Sequence, residues 1–265
     1  MRKRLPIVLG VLLLAVLGTI AWLSLRPDAE DPVYQGKRLS VWLGNYDPHP
    51  PYRSLSPEGE EAVRQLGTNA IPMLLRKLRA KASPFKDKLF ALAQKQHVIK
   101  VSFTPAWFQH WQGALGFRVL AAEGKSAVPA LIELYSQGNA DPDALGCLSG
   151  SLNGIGPDAR AAVPALIHRL GHTNERVRGP AAVALGQIHS EPQVVVPALI
   201  SCLSDQNNAV RYGAASALSE FGPEAKAALP ALTQLLADSD AGVRWMTKDA
   251  IKRIDPEAAA KAGVR

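Results

Sequence analysis

An all-α fold, a right-handed α-solenoid of stacked helix pairs preceded by one N-terminal transmembrane helix, is what this sequence predicts, on three observations. Val163-Pro164-Ala165-Leu166 returns as Val196-Pro197-Ala198-Leu199 and as Leu229-Pro230-Ala231-Leu232, with the prolines 33 residues apart. Val177-Arg178, Val210-Arg211 and Val243-Arg244 recur with the same period, each arginine 14 positions after a proline. Residues 5–25 form a run of 21 positions without a charge. Two markers in phase signal a supersecondary unit too small to bury its own apolar face, which is stable only when stacked on copies of itself.

The elements follow in chain order. Residues 1–4 are a basic tail expected in the cytoplasm, because Arg2, Lys3 and Arg4 precede the apolar run while Asp28, Glu30 and Asp31 follow it. Residues 5–25 would reach roughly 31 Å as a helix, the thickness of a bilayer's hydrocarbon core. They are read as a signal anchor that leaves the rest of the chain on the extracytoplasmic side, the periplasm in a Gram-negative cell. The alternative is a cleaved signal peptide with secretion, since Thr19 and Ala21 suit cleavage, although the apolar run exceeds the usual length. Residues 26–56 hold prolines at 27, 32, 48, 50 and 51, which implies an extended tether with one short helix from Ser40 to about Tyr46, and Trp42 and Leu43 would cap the first repeat.

Residues 57–265 are the repeat domain. Aligning on the proline adds Ala70-Ile71-Pro72-Met73-Leu74-Leu75 and Ala127-Val128-Pro129-Ala130-Leu131-Ile132, for five full units. Ala181, Ala184, Leu185 and Ile188 follow the i, i+3, i+4, i+7 spacing of a first helix. Pro164, Leu166, Ile167 and Leu170 mark a second helix that opens on proline, where a missing N–H costs least. Gly156-Pro157, Gly222-Pro223, Gly67-Thr68 and Gly124-Lys125 punctuate the two helices, glycine ending the first. The interval from Pro72 to Pro129 is 57 residues, so about 24 extra residues, an insert at about 81–105, interrupt the array. Lys81, Lys86, Lys88, Lys95 and Lys100 alternate there with apolar positions, as in an amphipathic helix, and the aromatics Phe103, Trp107, Phe108, Trp111 and Phe117 follow. Asp240 to Ile254 keeps the first-helix pattern, so the array is expected as five pairs and a terminal helix, with Glu257 to Arg265 covering the last open face.

These residues, Val-Arg, small residues, Ala-Leu-Gly, a Gly-Pro turn and Ala-Val-Pro-Ala-Leu, resemble the HEAT repeat in its short form, called HEAT-like or phycobilisome-lyase-like. The resemblance covers residues 57 to 255 and is strongest from 144 onward. It implies a scaffold that binds other proteins, while a few members of the class are bilin (chromophore) lyases or DNA glycosylases. The segment Tyr34-Gln35-Gly36-Lys37-Arg38-Leu39-Ser40-Val41-Trp42-Leu43 is similar to an opening segment of membrane-anchored bacterial HEAT proteins.

Function is then sought on the surface. The sequence pI near 9.5 is inflated by the termini of the apolar run. Without Arg2, Lys3, Arg4 and Arg26, 26 basic residues face 23 acidic ones. Stacking the second helices on their prolines gives Arg76, Glu133, His168, Ser201 and Gln234 at one exposed position, a mixed row with no phosphate track, so a protein or peptide partner is expected and nucleic acid is not. Trp107, Phe108 and Trp111 join that row as candidate partner-binding residues, because Trp and Arg dominate interface energetics. Arg178, Arg211 and Arg244 are read as structural, paired in an Asp-Arg ladder with Asp205 and Asp238, each aspartate lying six residues before an arginine of the set. Gly124-Lys125-Ser126 lacks the glycine a phosphate loop requires five positions earlier, where Val119 stands. His168 and His172 are four apart with no glutamate after the first. Cys147 and Cys202 read as separately buried thiols. No catalytic residue, cofactor or metal site is predicted.

Overall fold

The structure, a computed structural model, describes residues 31–44, 54–83, 104–137 and 141–264. The anchor at 5–25, much of the tether and the helix expected in the insert lie outside the described residues. Among the described residues no helix is long and apolar enough to cross a membrane.

Helices alternate along the chain in two layers. The first helices are α2 (Pro57–Leu66), α4 (Ala106–Leu120), α6 (Pro142–Ile155), α8 (Glu175–Ile188), α10 (Asn208–Phe221) and α12 (Ala241–Ile254). The second helices are α3 (Ile71–Leu78), α5 (Val128–Ser136), α7 (Val163–Leu170), α9 (Pro192–Cys202), α11 (Leu229–Leu235) and α13 (Pro256–Lys261). From α4 onward each first helix packs most extensively on the next first helix. The alternation buries one apolar stripe per helix, and Leu131, Leu152, Leu166, Leu185, Phe117 and Ile188 are fully enclosed. One core runs from Leu39 to Val264.

Local chemistry sets the helix ends. Asn174, Asn207 and Asp240, again 33 apart, cap α8, α10 and α12, their side chains accepting from the first-turn N–H of Arg176, Ala209 and Val243. Gly67, Gly156 and Gly222 end α2, α6 and α10 with φ of 52°, 72° and 50°. 3₁₀ turns at Gly67–Ala70, Ala121–Ala127, Gly156–Ala162 and Gly222–Ala228 then carry the chain into the second helix. The expectation for Gly124 needs correcting. The residue that ends α4 is Ala121, with φ 49° and ψ −130°, and Gly124 lies buried inside the turn between Phe117 and Ile155. The proline rule also has an exception: α9 starts at Pro192, so Pro197 falls inside it, whereas Pro72, Pro129, Pro164 and Pro230 are second residues of their helices.

Both ends of the array are covered. Val33–Tyr34 and Lys37–Arg38 (β1 and β2) pair antiparallel around Gln35 and Gly36, both at positive φ, and α1 (Leu39–Trp42) follows at once. Leu39, Trp42 and Leu43 are buried on α2, and Trp42 Nε1 donates to the Tyr34 carbonyl at 3.1 Å. Gln112 of α4 ties this cap to the array by donating to the Leu43 carbonyl at 2.7 Å while accepting from Lys77 Nζ at 2.9 Å. At the other end the expected single terminal helix is a sixth pair, because Asp255 caps the short α13 and buries Ala259 and Val264.

Candidate interaction surfaces

The five-residue row sits on α3, α5, α7, α9 and α11. Glu133, His168, Ser201 and Gln234 are exposed and Arg76 is half-buried. Each stands on the surface of its helix because the next position inward is apolar and buried, as Leu131, Leu166, Leu199 and Leu232 are. Next to His168, a residue outside the predicted row bridges two units. Arg169 donates to the Tyr135 carbonyl, and its guanidinium lies 5.3 Å from the Tyr135 ring centroid. Burial pushes the Tyr135 hydroxyl up to about 12, where it remains a neutral hydrogen-bonding group 2.7 Å from Ser149 Oγ.

Trp107, Phe108 and Trp111 lie elsewhere. They belong to α4, a regular first helix of the second unit and not part of the insert, so they stand in the other layer from the row. Trp107 meets Phe108 edge-on and Phe108 stacks on Trp111, each pair at 5.6 Å between centroids. Trp107 is 51% exposed, Phe108 and Trp111 are half-buried, and Phe117 is core.

The arginines form a clamp with two hands. Arg178 Nη1 donates to the carbonyls of His172 and Thr173 in its own loop, and its Nε and Nη2 hold both oxygens of Asp205 in the next loop at 2.7 and 2.8 Å. Arg211 repeats this with the carbonyls of Asp205 and Gln206 and the carboxylate of Asp238, also at 2.7 and 2.8 Å. The six-residue spacing therefore marks a bond from arginine to a main-chain carbonyl, and the ion pair reaches 27 residues forward. Each aspartate also accepts from the N–H two residues on, so its loop is fixed from within. The paired guanidinium holds Asp205 and Asp238 below the usual carboxylate range. Arg244 grips the carbonyls of Asp238 and Ser239, and no carboxylate among the described residues meets its other edge.

Two further exposed aromatics escaped the sequence reading. Tyr212 and Trp245 directly follow Arg211 and Arg244, and are 37% and 62% exposed. The signal was their recurrence one period apart beside the Val-Arg marker, with Gly179 at the preceding equivalent position.

A cleft of about 890 Å³ opens between the ends of α3 and α5 and the start of α6, lined in part by Leu78, His110, Leu134, Asp141 and Leu148. His110 is buried with Nε2 2.6 Å from the Ala80 carbonyl, and Asp141 caps α6. No acid–base pair is assembled there by the described residues. Among them, no three His, Cys, Asp or Glu side chains gather as metal ligands. Cys147 and Cys202 are free thiols, and burial pushes them up to about 12 and about 11, so neither is a ready nucleophile.

This architecture defines an α-solenoid repeat protein. The family model for HEAT repeats matches residues 196–262, from within α9 to the end of α13. A designed armadillo repeat protein in complex with the peptide (KR)4 is similar in structure, with a TM-score of 0.51 at 18% identity over 74% of this chain and 87% of that one. The karyopherin Kap121p, bound to the extreme C-terminus of the protein phosphatase Cdc14p, aligns at 15% identity over 84% of this chain and 24% of its own length, TM-score 0.47. The CpcE–CpcF complex of phycocyanin lyase from Nostoc sp. PCC7120 aligns at 18% identity over 84% and 98% of the respective chains, TM-score 0.34. At these identities the likeness is one of fold, and only the first is close enough to carry that argument. No curated protein matches the chain.

Proposed function

We propose that this protein is a non-catalytic scaffold for a protein or peptide partner, held at the membrane by residues 5–25 with the array on the extracytoplasmic side. The observation that carries the binding claim is the row Glu133, His168, Ser201 and Gln234, one exposed side chain per unit on successive second helices, with half-buried Arg76 at its start. A stacked array offers such a row as an extended, rigid surface whose chemistry varies unit by unit while the core stays fixed. Solenoids of the same fold, such as the designed armadillo protein, are found with peptides bound. Mixed charge along the row suits a protein surface better than a phosphate backbone, and the described residues assemble no catalytic set.

The test pairs crosslinking in membranes with charge reversal along the row. Glu133→Arg and His168→Glu should reduce a crosslinked partner at least tenfold while leaving the melting temperature unchanged. Salt-dependent affinity for duplex DNA or a bilin-attachment activity would overturn the scaffold reading. For location, alkaline phosphatase fused after Arg265 should be active and carbonate washing should leave the chain in the membrane. Release by carbonate would point to a cleaved signal.

A further inference from the structure

On the anchored reading proposed above, we infer that the hairpin and α1 form a membrane-contact surface, docked on the headgroup region of an anionic phospholipid bilayer. The chain is fastened to the array almost as soon as it leaves the apolar run. Asp31 is buried and its Oδ1 accepts from the Ser40 N–H at 3.0 Å, while the Pro32 carbonyl accepts from the Leu39 N–H at 2.8 Å. Residues 26–30 alone lie between the run and this fastened point, so on the membrane side the tether expected at 26–56 is five residues long. From Leu25 to Asp31 such a stretch reaches at most about 20 Å, even fully extended. An anchor at 5–25 therefore holds the cap, and no other part of the array, to within that distance of the bilayer.

The cap presents the chemistry such a surface requires. Val33 and Arg38 are register partners across the two strands, so they share one face, and both are exposed. The opposite face carries Tyr34 and Lys37 over Trp42, the Tyr34 ring 6.3 Å from the Trp42 ring and Lys37 Nζ 4.8 Å from it. In α1, Leu39, Trp42 and Leu43 enter the core and Val41 is left out of it. Val33 and Val41 are 59% and 51% exposed, so two of the six large apolar side chains most open among the described residues fall in a segment of 14. The charge beside them is basic. Asp31 is occupied by the Ser40 N–H, whereas Lys37 and Arg38 are exposed, as are Arg79 and Lys81 at the end of α3, the helix joined to the cap through Lys77, Gln112 and Leu43. Glu58, on the first turn of α2, is the exposed acid next along the described chain. Apolar side chains flanked by cations match the boundary of an anionic bilayer, which takes the first into the headgroup layer and attracts the second.

The test uses the full chain in nanodiscs of phosphatidylcholine with phosphatidylglycerol. A photoreactive benzophenone amino acid is placed at position 41 or, for reference, at exposed position 194 on α9, and lipid adducts are counted by mass spectrometry after irradiation. Position 41 should give at least tenfold more lipid adduct than position 194. Arg38→Glu should cut the adduct at position 41 at least threefold with the circular dichroism spectrum unchanged, and so should discs of phosphatidylcholine alone. Equal adducts at 41 and 194, adducts at 41 to a second copy of the chain instead of lipid, or indifference to both Arg38→Glu and lipid charge would overturn the inference. Carbonate washing of cell membranes separates this result from the anchor itself. A chain that is retained yet gives no excess adduct at 41 overturns the contact and leaves the anchor standing. A chain released by carbonate overturns the anchor, and position 41 is then judged on vesicles of the same lipids added to the released chain, where a lack of adduct overturns the contact as well.

Discussion

Arg211 joins three segments with one guanidinium: the helix it stands on, its own loop through two carbonyls, and the next loop through Asp238. The pair is largely buried, with side chains 13% and 9% exposed, so removing one member leaves the other's charge poorly solvated. Arg211→Ala should cost about 3 kcal/mol in urea unfolding. Arg211→Lys should recover less than half of that, because an ammonium cannot span both carboxylate oxygens. The acid dependence follows from the same pairs. Asp205 and Asp238 are held below their ordinary value by the guanidinium, so they contribute stability that is fully present above that value, near pH 4, and is lost as pH falls through their depressed values. The melting temperature should be flat from about pH 7 to 5 and fall below about 4. The Asp205→Asn, Asp238→Asn double variant should start lower and lose most of that acid slope. Sequence spacing identified the residues of this Asp-Arg ladder but not which arginine holds which carboxylate, since a six-residue interval is silent about whether a carbonyl or a carboxylate is the acceptor. Ala121 makes a separate point. At φ 49° and ψ −130° it occupies backbone space suited to glycine, where Gly156 and Gly222 sit in neighbouring units. Ala121→Gly should therefore stabilise by about 1 kcal/mol in the same assay.

At the level of elements, the first helices approach closely where a glycine faces a neighbouring backbone. A Cβ on Gly154 would lie 2.6 Å from Arg118 Cα, and one on Gly186 would lie 2.6 Å from Ala217 Cα, so neither neighbour can yield by moving a flexible side-chain end. Gly154→Ala and Gly186→Ala should each destabilise by about 1–3 kcal/mol. Gly150→Ala is the control: its Cβ would meet only the Ala114 methyl at 3.9 Å, and the helix would gain up to about 1 kcal/mol of propensity. The helices were legible in the sequence because burial imposes a 3.6-residue period, and the units because stacking repeats it every 33 residues. The β-hairpin was not legible. Its strands are two residues long, its turn is Gln35-Gly36 without the usual Asn-Gly signal, and the prolines around it read as a tether. The 3₁₀ turns were hidden for a related reason, since four to seven residues are too few to establish a period. Trp107, Phe108 and Trp111, which follow the insert in sequence, belong to the regular α4, which begins at Ala106.

Across the molecule, stability is distributed by which neighbours each unit has. In a stacked array each unit contributes its own folding term and its interfaces with the units on either side, so interior units are protected and ends open first. The clamp sharpens this gradient because it joins only the loops before α8, α10 and α12. The equivalent arginine position in α6 is Leu145, and His172 stands where Asp205 and Asp238 do, its Nδ1 accepting from the Asn174 N–H. The first three units are therefore held by helix caps, apolar packing, the Lys77–Gln112–Leu43 junction and single guanidinium contacts, Arg169 to the Tyr135 carbonyl and Arg176 to Asp143, with no bidentate clamp among the described residues. α10 alone among the first helices is clamped on both sides, at Asp205 to Arg178 and at Arg211 to Asp238. Native-state hydrogen exchange should accordingly show the slowest amides in α8 and α10, with α2 and α13 exchanging through smaller openings. Arg178→Ala should lower protection in α8 and α10 together while leaving α2 and α3 unchanged. Uniform protection from α2 to α12, or equal losses at both ends in that variant, would mean that the array unfolds as one cooperative block and that the clamps do not set its boundaries.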